Sequence, residues 1–329
     1  MSFFQSRVTD LFNIRHPLVL APMGGASGGL LASSVSEAGG LGLVGASYGD
    51  PDWMKVELAM MEDLNVPWGV GLVMFTVAKN FGLLDLALSY RPDVVALSFG
   101  DPEPFIGPIH KAGALAVVQI HEMEQAHAAI AAGADALIVQ GAEAGGHSLR
   151  RATLPFIPAV RDAVGDAVPL IAAGGIADGR GLMAALALGA DAAMLGTRFL
   201  ASNEALPSRE VKCKVVEAKA GATVRTRIFD MVRGIDWPAE YSGRALKNDF
   251  SATWVDRPEE MAAAGRPVRD AYAEAIKADD VNVRAIWAGE VLDLIRDIRP
   301  AAELVDTIMA EAAVTLAGLN KTFAVLEPT

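Results

Sequence analysis

The sequence predicts an α/β protein of the (β/α)8, or TIM-barrel, class, and three observations carry that prediction. Eight short apolar runs, rich in β-branched residues, recur between residues 17 and 200, each followed by a loop and an Ala/Leu-rich segment with helical spacing. The runs are continuously apolar instead of alternating, which marks strands buried on both faces, as in a parallel sheet covered by helices. No Gly-rich nucleotide fingerprint follows the first run. A doubly wound open sheet is the alternative with the same alternation, and the count of eight together with the missing fingerprint favours the barrel.

In chain order the strands are LVLAP (18–22), GLGLVG (40–45), WGVGLV (68–73), VVALSF (94–99), LAVVQI (115–120), ALIVQG (136–141), PLIAAG (169–174) and AAMLGT (192–197). The helical segments between them are GGLLASSVSEAG, DWMKVELAMMED, KNFGLLDLALSY, PFIGPIHKAG, MEQAHAAIAAG, LPFIPAVRDAV and GRGLMAALALG. Several close on glycine, at Gly113, Gly133 and Gly189, as helix C-termini do. After residue 200 the alternation stops. A polar, mixed stretch contains one β-like run, TVRTRIF, followed by the charged helical segment PEEMAAAGRPVRDAYAEAIKADD. Residues 205–283 read as an inserted lid subdomain. Residues 1–204 and 284–329 read as the barrel, with IWAGEVLDLIRDIRPAAELVDTIMAEAAVTLAGL returning to amphipathic helix and Trp287 at its opening.

A chain of 329 residues buries a large core, and 52% apolar with 21% charged residues is a globular composition. The net charge of −12 argues against a nucleic-acid partner and against an anionic membrane surface. A single cysteine, Cys213, excludes an intrachain disulfide and fits a cytoplasmic, reducing setting. The start lacks a long apolar core, so no signal peptide is expected, and no uncharged apolar stretch reaches membrane-spanning length. A homodimer is a further expectation, with Ala-rich segments such as MAALALG packing either between subunits or within the barrel.

In barrels of this class the active site lies at the C-terminal ends of the strands, which turns the strand list into a site list. Those ends are rich in small residues whose amides can approach a ligand. AAGGIADGRG (172–181) and MLGTRF (194–199) follow strands seven and eight, the usual phosphate position. Gly174, Gly175, Gly196 and Thr197 would supply donors there; the bland alternative is that the glycines relieve crowding at tight turns. His147 follows strand six in QGAEAGGHSLR, and its ring would overlook the barrel mouth. An imidazole titrates near neutral pH and suits proton transfer, though a lone histidine is more often structural. Of the other four, His16 precedes the first strand, His110 and His127 fall in helices, and His121 lies just beyond Gln119. Met23 and Met74, at two strand ends, either contact a flat ring or fill the core. There is no metal-ligand cluster, no nucleoside-triphosphatase loop and no serine-hydrolase elbow.

APMGG after strand one, QGAEAGGH after strand six, AAGGIADGRG after strand seven and LGTRFLAS after strand eight resemble the nitronate monooxygenase family, formerly called 2-nitropropane dioxygenases. The flavin-dependent enoyl-acyl-carrier-protein reductases of bacteria share much of this pattern. The resemblance covers about residues 14–205, with an echo in IWAGE near 287. It implies an FMN-dependent oxidoreductase whose phosphate turns are Gly174–Gly175 and Gly196–Thr197. It implies that Ala21, Pro22 and Met23 line the isoalloxazine and that Gln119 and Gln140 hydrogen-bond it. Gly71, Gly145, Gly146 and Ala173 complete the cofactor-binding set, and the family's catalytic histidine falls on His147. The chain departs at Gly71, where many members carry Asn at the end of strand three. Three functions follow as expectations: oxidation of alkyl nitronates by FMN and O2 with His147 as acid/base; an NAD(P)H-dependent reductase of quinones or enoyl thioesters; or a non-redox phosphate-binding lyase or isomerase.

Overall fold

The computed structural model describes residues 4–219 and 221–322. Its strands, in chain order, are β1 (Leu18–Leu20), β2 (Gly42–Gly45), β3 (Trp68–Val73), β4 (Val94–Ser98), β5 (Leu115–Ile120), β6 (Ala136–Gln140), β7 (Gly146–Ser148), β8 (Leu170–Ala173), β9 (Ala192–Leu195), β10 (Thr223–Thr226) and β11 (Ser242–Leu246). All eight expected barrel strands are present; β3 and β5 have the expected bounds and the other six are shorter at their ends. Glycine ends one of them: Gly174, at φ +100°, leaves the extended region just after β8.

The barrel runs β1-β9-β8-β6-β5-β4-β3-β2, every neighbour parallel. Its seam is bridged where Leu20 N donates to Leu41 O and Leu41 N donates to Leu18 O, both at 2.9 Å. Successive side chains on a strand point to opposite faces. Leu18 and Leu20 therefore pack outward against helices, while Val19 joins Leu43, Val94, Ala96, Val117, Ile138 and Ile171 inside the barrel. This double burial is why the strands read as unbroken apolar runs. The helix Arg7–Phe12 contributes Val8 and Phe12 to the same interior cluster. The helix ends at Gly113, Gly133 and Gly189 all have positive φ, between +86° and +99°.

The segment after residue 200 forms helices Arg209–Glu217, Ile228–Arg233, Asp249–Trp254, Pro258–Ala264 and Arg266–Lys277. It has its own apolar cluster around Phe229, Phe250, Met261 and Tyr272. The β-like run TVRTRIF is a strand only to Thr226; Thr226 Oγ1 then accepts from Ile228 N at 3.2 Å and the chain turns into helix. β11 pairs antiparallel with both β10 and β7, so this segment is stitched to the loop after β6.

Residues 286–299 correct the expectation of helix. Only Leu292–Leu294 form a single 3-10 turn, and the helix begins at Ala301, after Pro300. IWAGE instead crosses the barrel mouth, bridged to β11 through Ala245–Trp287 and to the end of β9 through Gly289 N donating to Thr197 Oγ1 at 3.0 Å. The spacing of its apolar residues records contacts with the mouth, not a helical face.

Candidate active site

The C-terminal ends of the barrel strands and the segments 205–291 enclose one cavity of about 270 Å³. All fourteen residues expected at the site line it: Ala21, Pro22 and Met23 after β1, Gly71 in β3, Gln119 in β5, Gln140 in β6, Gly145, Gly146 and His147 at β7, Ala173 at the end of β8 with Gly174 and Gly175 just after it, and Gly196 and Thr197 after β9. Met74 is not among them; it is buried at the start of the helix Met74–Val77.

One end of the cavity is a backbone cradle. The amides of Gly174, Gly175, Gly196 and Thr197 donate to no other group among the described residues. Gly174 and Gly175 have φ of +100° and +75°, and a Cβ on Gly174 would sit 3.0 Å from Gly141 O and 3.1 Å from Ala144 N. Only glycine keeps this turn open. Unspent N–H groups at an open turn suit an anion's oxygens.

The middle is polar. Gln119 Nε2 donates to Gln140 Oε1 at 3.0 Å, and His121 Nε2 donates to the same oxygen at 2.6 Å. Gln119 Oε1 and Gln140 Nε2 are left without partners among the described residues, one acceptor beside one donor. His121 is sealed behind this pair, and burial pulls its pKa down to about 4 against the lift from Gln140 and Gln125.

His147 occupies the other end. It was expected in a loop; it lies in β7, opposite Gly243 of β11. Its Nε2 is 2.8 Å from Asp230 Oδ2, and both residues are buried. Arg233 Nη2 donates to Asp230 Oδ1 at 2.8 Å. Trp237 stacks on the imidazole at 3.5 Å between centroids and 5° between planes, with its Nε1 donating to Tyr48 Oη at 2.9 Å. Burial lowers the His147 pKa, the largest influence, and the hydrogen bond and charge of Asp230 oppose it. Nδ1 has no partner among the described residues.

Two arginines and one acid hold this end in place. Arg225 and Arg244 both donate to Ala142 O at 3.0–3.1 Å, and Arg225 also reaches Ser148 O at 2.6 Å and Ser242 O at 2.9 Å. Glu143 caps the helix Thr153–Val164, accepting from Thr153 N at 3.0 and 3.1 Å and from Thr153 Oγ1 at 2.8 Å. Sequence reasoning missed Asp230, Arg233, Trp237 and Tyr48. The one signal for Asp230 is an acid inside the apolar run IFDMV, and nothing in the sequence pairs it with His147, 83 positions away. Among the described residues no group of His, Cys, Asp and Glu forms a metal site, and no helix is long and apolar enough to cross a membrane. The cavity thus joins an anion cradle, a donor–acceptor edge and a histidine with one free nitrogen.

Comparison with known proteins follows this geometry. A family model described as nitronate monooxygenase matches residues 5–80 and 69–311. The chain is 31% identical over 346 aligned residues to a nitronate monooxygenase of Neurospora crassa, covering 91% of this chain and 89% of that protein. Among solved structures it superimposes on FabK from Thermotoga maritima with TM-score 0.84 and 30% identity, over 97% of this chain and 99% of that one. It also superimposes on a nitroalkane oxidase from Streptomyces ansochromogenes with TM-score 0.79 and 32% identity, over 95% and 100%.

Proposed function

The chain belongs to the nitronate monooxygenase family, whose members are flavin-dependent oxidoreductases, and from that premise we propose that it oxidises alkyl nitronates, and the nitroalkanes that ionise to them, with FMN as cofactor and O2 as oxidant. The observation that carries this reading is a histidine with one unpartnered nitrogen in the same cavity as four unspent amides.

The residues present fit FMN. The amides of Gly174, Gly175, Gly196 and Thr197 would hold its phosphate. Gln119 Oε1 and Gln140 Nε2 match the alternating acceptor and donor groups on the pyrimidine edge of an isoalloxazine. Ala21, Pro22, Met23, Gly71 and Ala173 would line the ring, with Gly145 and Gly146 beside it. FMN, when bound, supplies the two-electron chemistry and the route to O2.

The protein's part is proton transfer and charge placement. His147, held neutral by burial, takes the proton from the carbon bearing the nitro group; the C–H electron pair passes to the nitro group and leaves a nitronate. Arg233 and Arg284 line the same cavity and would face that negative charge. Residues 205–283 act as the cover: they bring Arg233 and Trp237 to the mouth and shield the imidazole from water.

Steady-state turnover of ethyl- and propyl-nitronate by the FMN-loaded protein tests the reading. Activity is expected on the nitronates, and on the parent nitroalkanes with loss in His147→Ala, since only the nitroalkane needs a base. Wild-type activity of that variant on nitroalkane would remove His147 from the mechanism. Rapid bleaching of the flavin by NADH or NADPH under anaerobic conditions would move the protein to the reductase class.

A further inference from the structure

We propose that Asp230 is the positioning residue for the proton-transferring histidine: it holds His147 Nε2 as a donor and so leaves the lone pair on Nδ1, the nitrogen that meets the substrate. The proposal rests on the reading of His147 as the base.

The geometry leaves little choice of tautomer. An ionised carboxylate only accepts, and a guanidinium only donates. Arg233 Nη2 donates to Asp230 Oδ1 at 2.8 Å, and Oδ2 faces His147 Nε2 at 2.8 Å. Asp230 is 2% exposed, so no water competes for that oxygen. Nε2 must therefore carry hydrogen, and Nδ1 is the basic nitrogen. When the substrate C–H bond breaks, an N–H bond forms at Nδ1, and the imidazolium charge faces a carboxylate already aligned with it. The charged groups facing His147 are Asp230 and Arg233 from the helix Ile228–Arg233 and Arg225 from β10; Trp237, Trp287 and Phe99 pack beside it as uncharged rings.

The carboxylate comes from the inserted segment and the histidine from the barrel. The base acquires its tautomer only when the helix Ile228–Arg233 is packed against β7. The insertion that covers the mouth thereby also arms the base.

Asp230→Asn provides the test. Arg233 still demands an acceptor, so the new amide turns its oxygen to Arg233 and its NH2 to His147. Nε2 must then accept, and the proton moves to Nδ1, where it blocks the base. In the FMN-loaded protein, long-range 1H–15N spectra of labelled histidine are expected to show His147 protonated at Nε2 in the wild type and at Nδ1 in Asp230→Asn. With a nitroalkane substrate, kcat/KM should fall by about 10²- to 10⁴-fold. Arg233→Met frees the amide to rotate, so Asp230→Asn should cost at least tenfold less in that background, which a merely structural role for Asp230 would not produce. An unchanged tautomer in Asp230→Asn, or equal losses in the two backgrounds, would overturn the proposal. Should His147→Ala turn over nitroalkane like the wild type, the acid/base reading fails instead, and the tautomer spectra still report whether Asp230 sets the ring.

Discussion

Gly145→Ala probes how tightly the loop before His147 is packed. A Cβ at Gly145 would lie 2.8 Å from Ala288 C and Gly289 N and 2.9 Å from Ala288 Cα. All three are backbone atoms of the segment that crosses the mouth, so no side chain can rotate away. That segment is pinned by Gly289 N to Thr197 Oγ1 at 3.0 Å and by Glu290 N to Glu143 O at 2.9 Å. Ordinary carbon contacts of about 3.5–4.0 Å require the two strands of chain to part by roughly 0.7–1.2 Å. Such overpacking costs about 1–3 kcal/mol. For 329 residues the unfolding entropy is about 0.7 kcal/mol per kelvin, so the melting temperature should fall by roughly 1.5–4 °C. His147, the proposed base, lies two residues along, and a displacement of about 1 Å at such a group can cost ~10²-fold in turnover. Gly146→Ala is the control: its φ is +72° with nothing within 4 Å of the added carbon, so it carries backbone strain of about 1–2 kcal/mol without the collision. Thermal melts and steady-state turnover of the two holoenzymes decide the matter. If Gly145→Ala keeps wild-type melting and turnover, or loses no more turnover than Gly146→Ala, the packing argument is wrong.

Three more outcomes are expected. Burial keeps His147 neutral below its ordinary titration range, so the acid limb of kcat/KM should lie below pH 6.5 in the wild type; Trp237→Ala admits water to the ring, and the limb should move to higher pH in a pH-rate profile. His121, with a folded pKa of about 4 against 6.5 unfolded, binds its proton only when unfolded between those values. The stability due to its neutral burial is whole above pH 6.5 and lost as pH falls toward 4, a loss of roughly 2–3 kcal/mol by pH 4.5. His121→Phe should show a urea-unfolding difference between pH 7 and pH 4.5 that is smaller by that amount; an unchanged difference would refute the assignment. Glu143→Ala strips the cap from the helix Thr153–Val164 and should cost about 1–2 kcal/mol, read as a lower urea midpoint with an unchanged slope.

The barrel was legible because its signal is local. A strand buried on both faces must be apolar at every position, and a turn that needs positive φ favours glycine; Val19 beside Leu18 and Leu20, and Gly174 after β8, show both tendencies. Once eight such strands are counted, the geometry of the class places their ends at one mouth. That is how Gln119, Gln140, Gly174 and Thr197 could be brought together from positions up to 78 residues apart. Residues 286–299 misled for the opposite reason: their apolar spacing serves contacts with the mouth, and amphipathic spacing alone does not say what an apolar side faces.

By itself, the sequence determined the eightfold alternation, the glycine turns and the position of His147 at the sixth strand end, since each depends on residues adjacent in the chain. Only the tertiary structure decided which nitrogen of His147 is free, which carboxylate holds the other, and which indole lies on the ring. Asp230 and Trp237 reach the imidazole from 83 and 90 positions away in the chain. Their contacts come from the pairing of β7 with β11 and the packing of the helix Ile228–Arg233, long-range events with no periodic trace in the sequence.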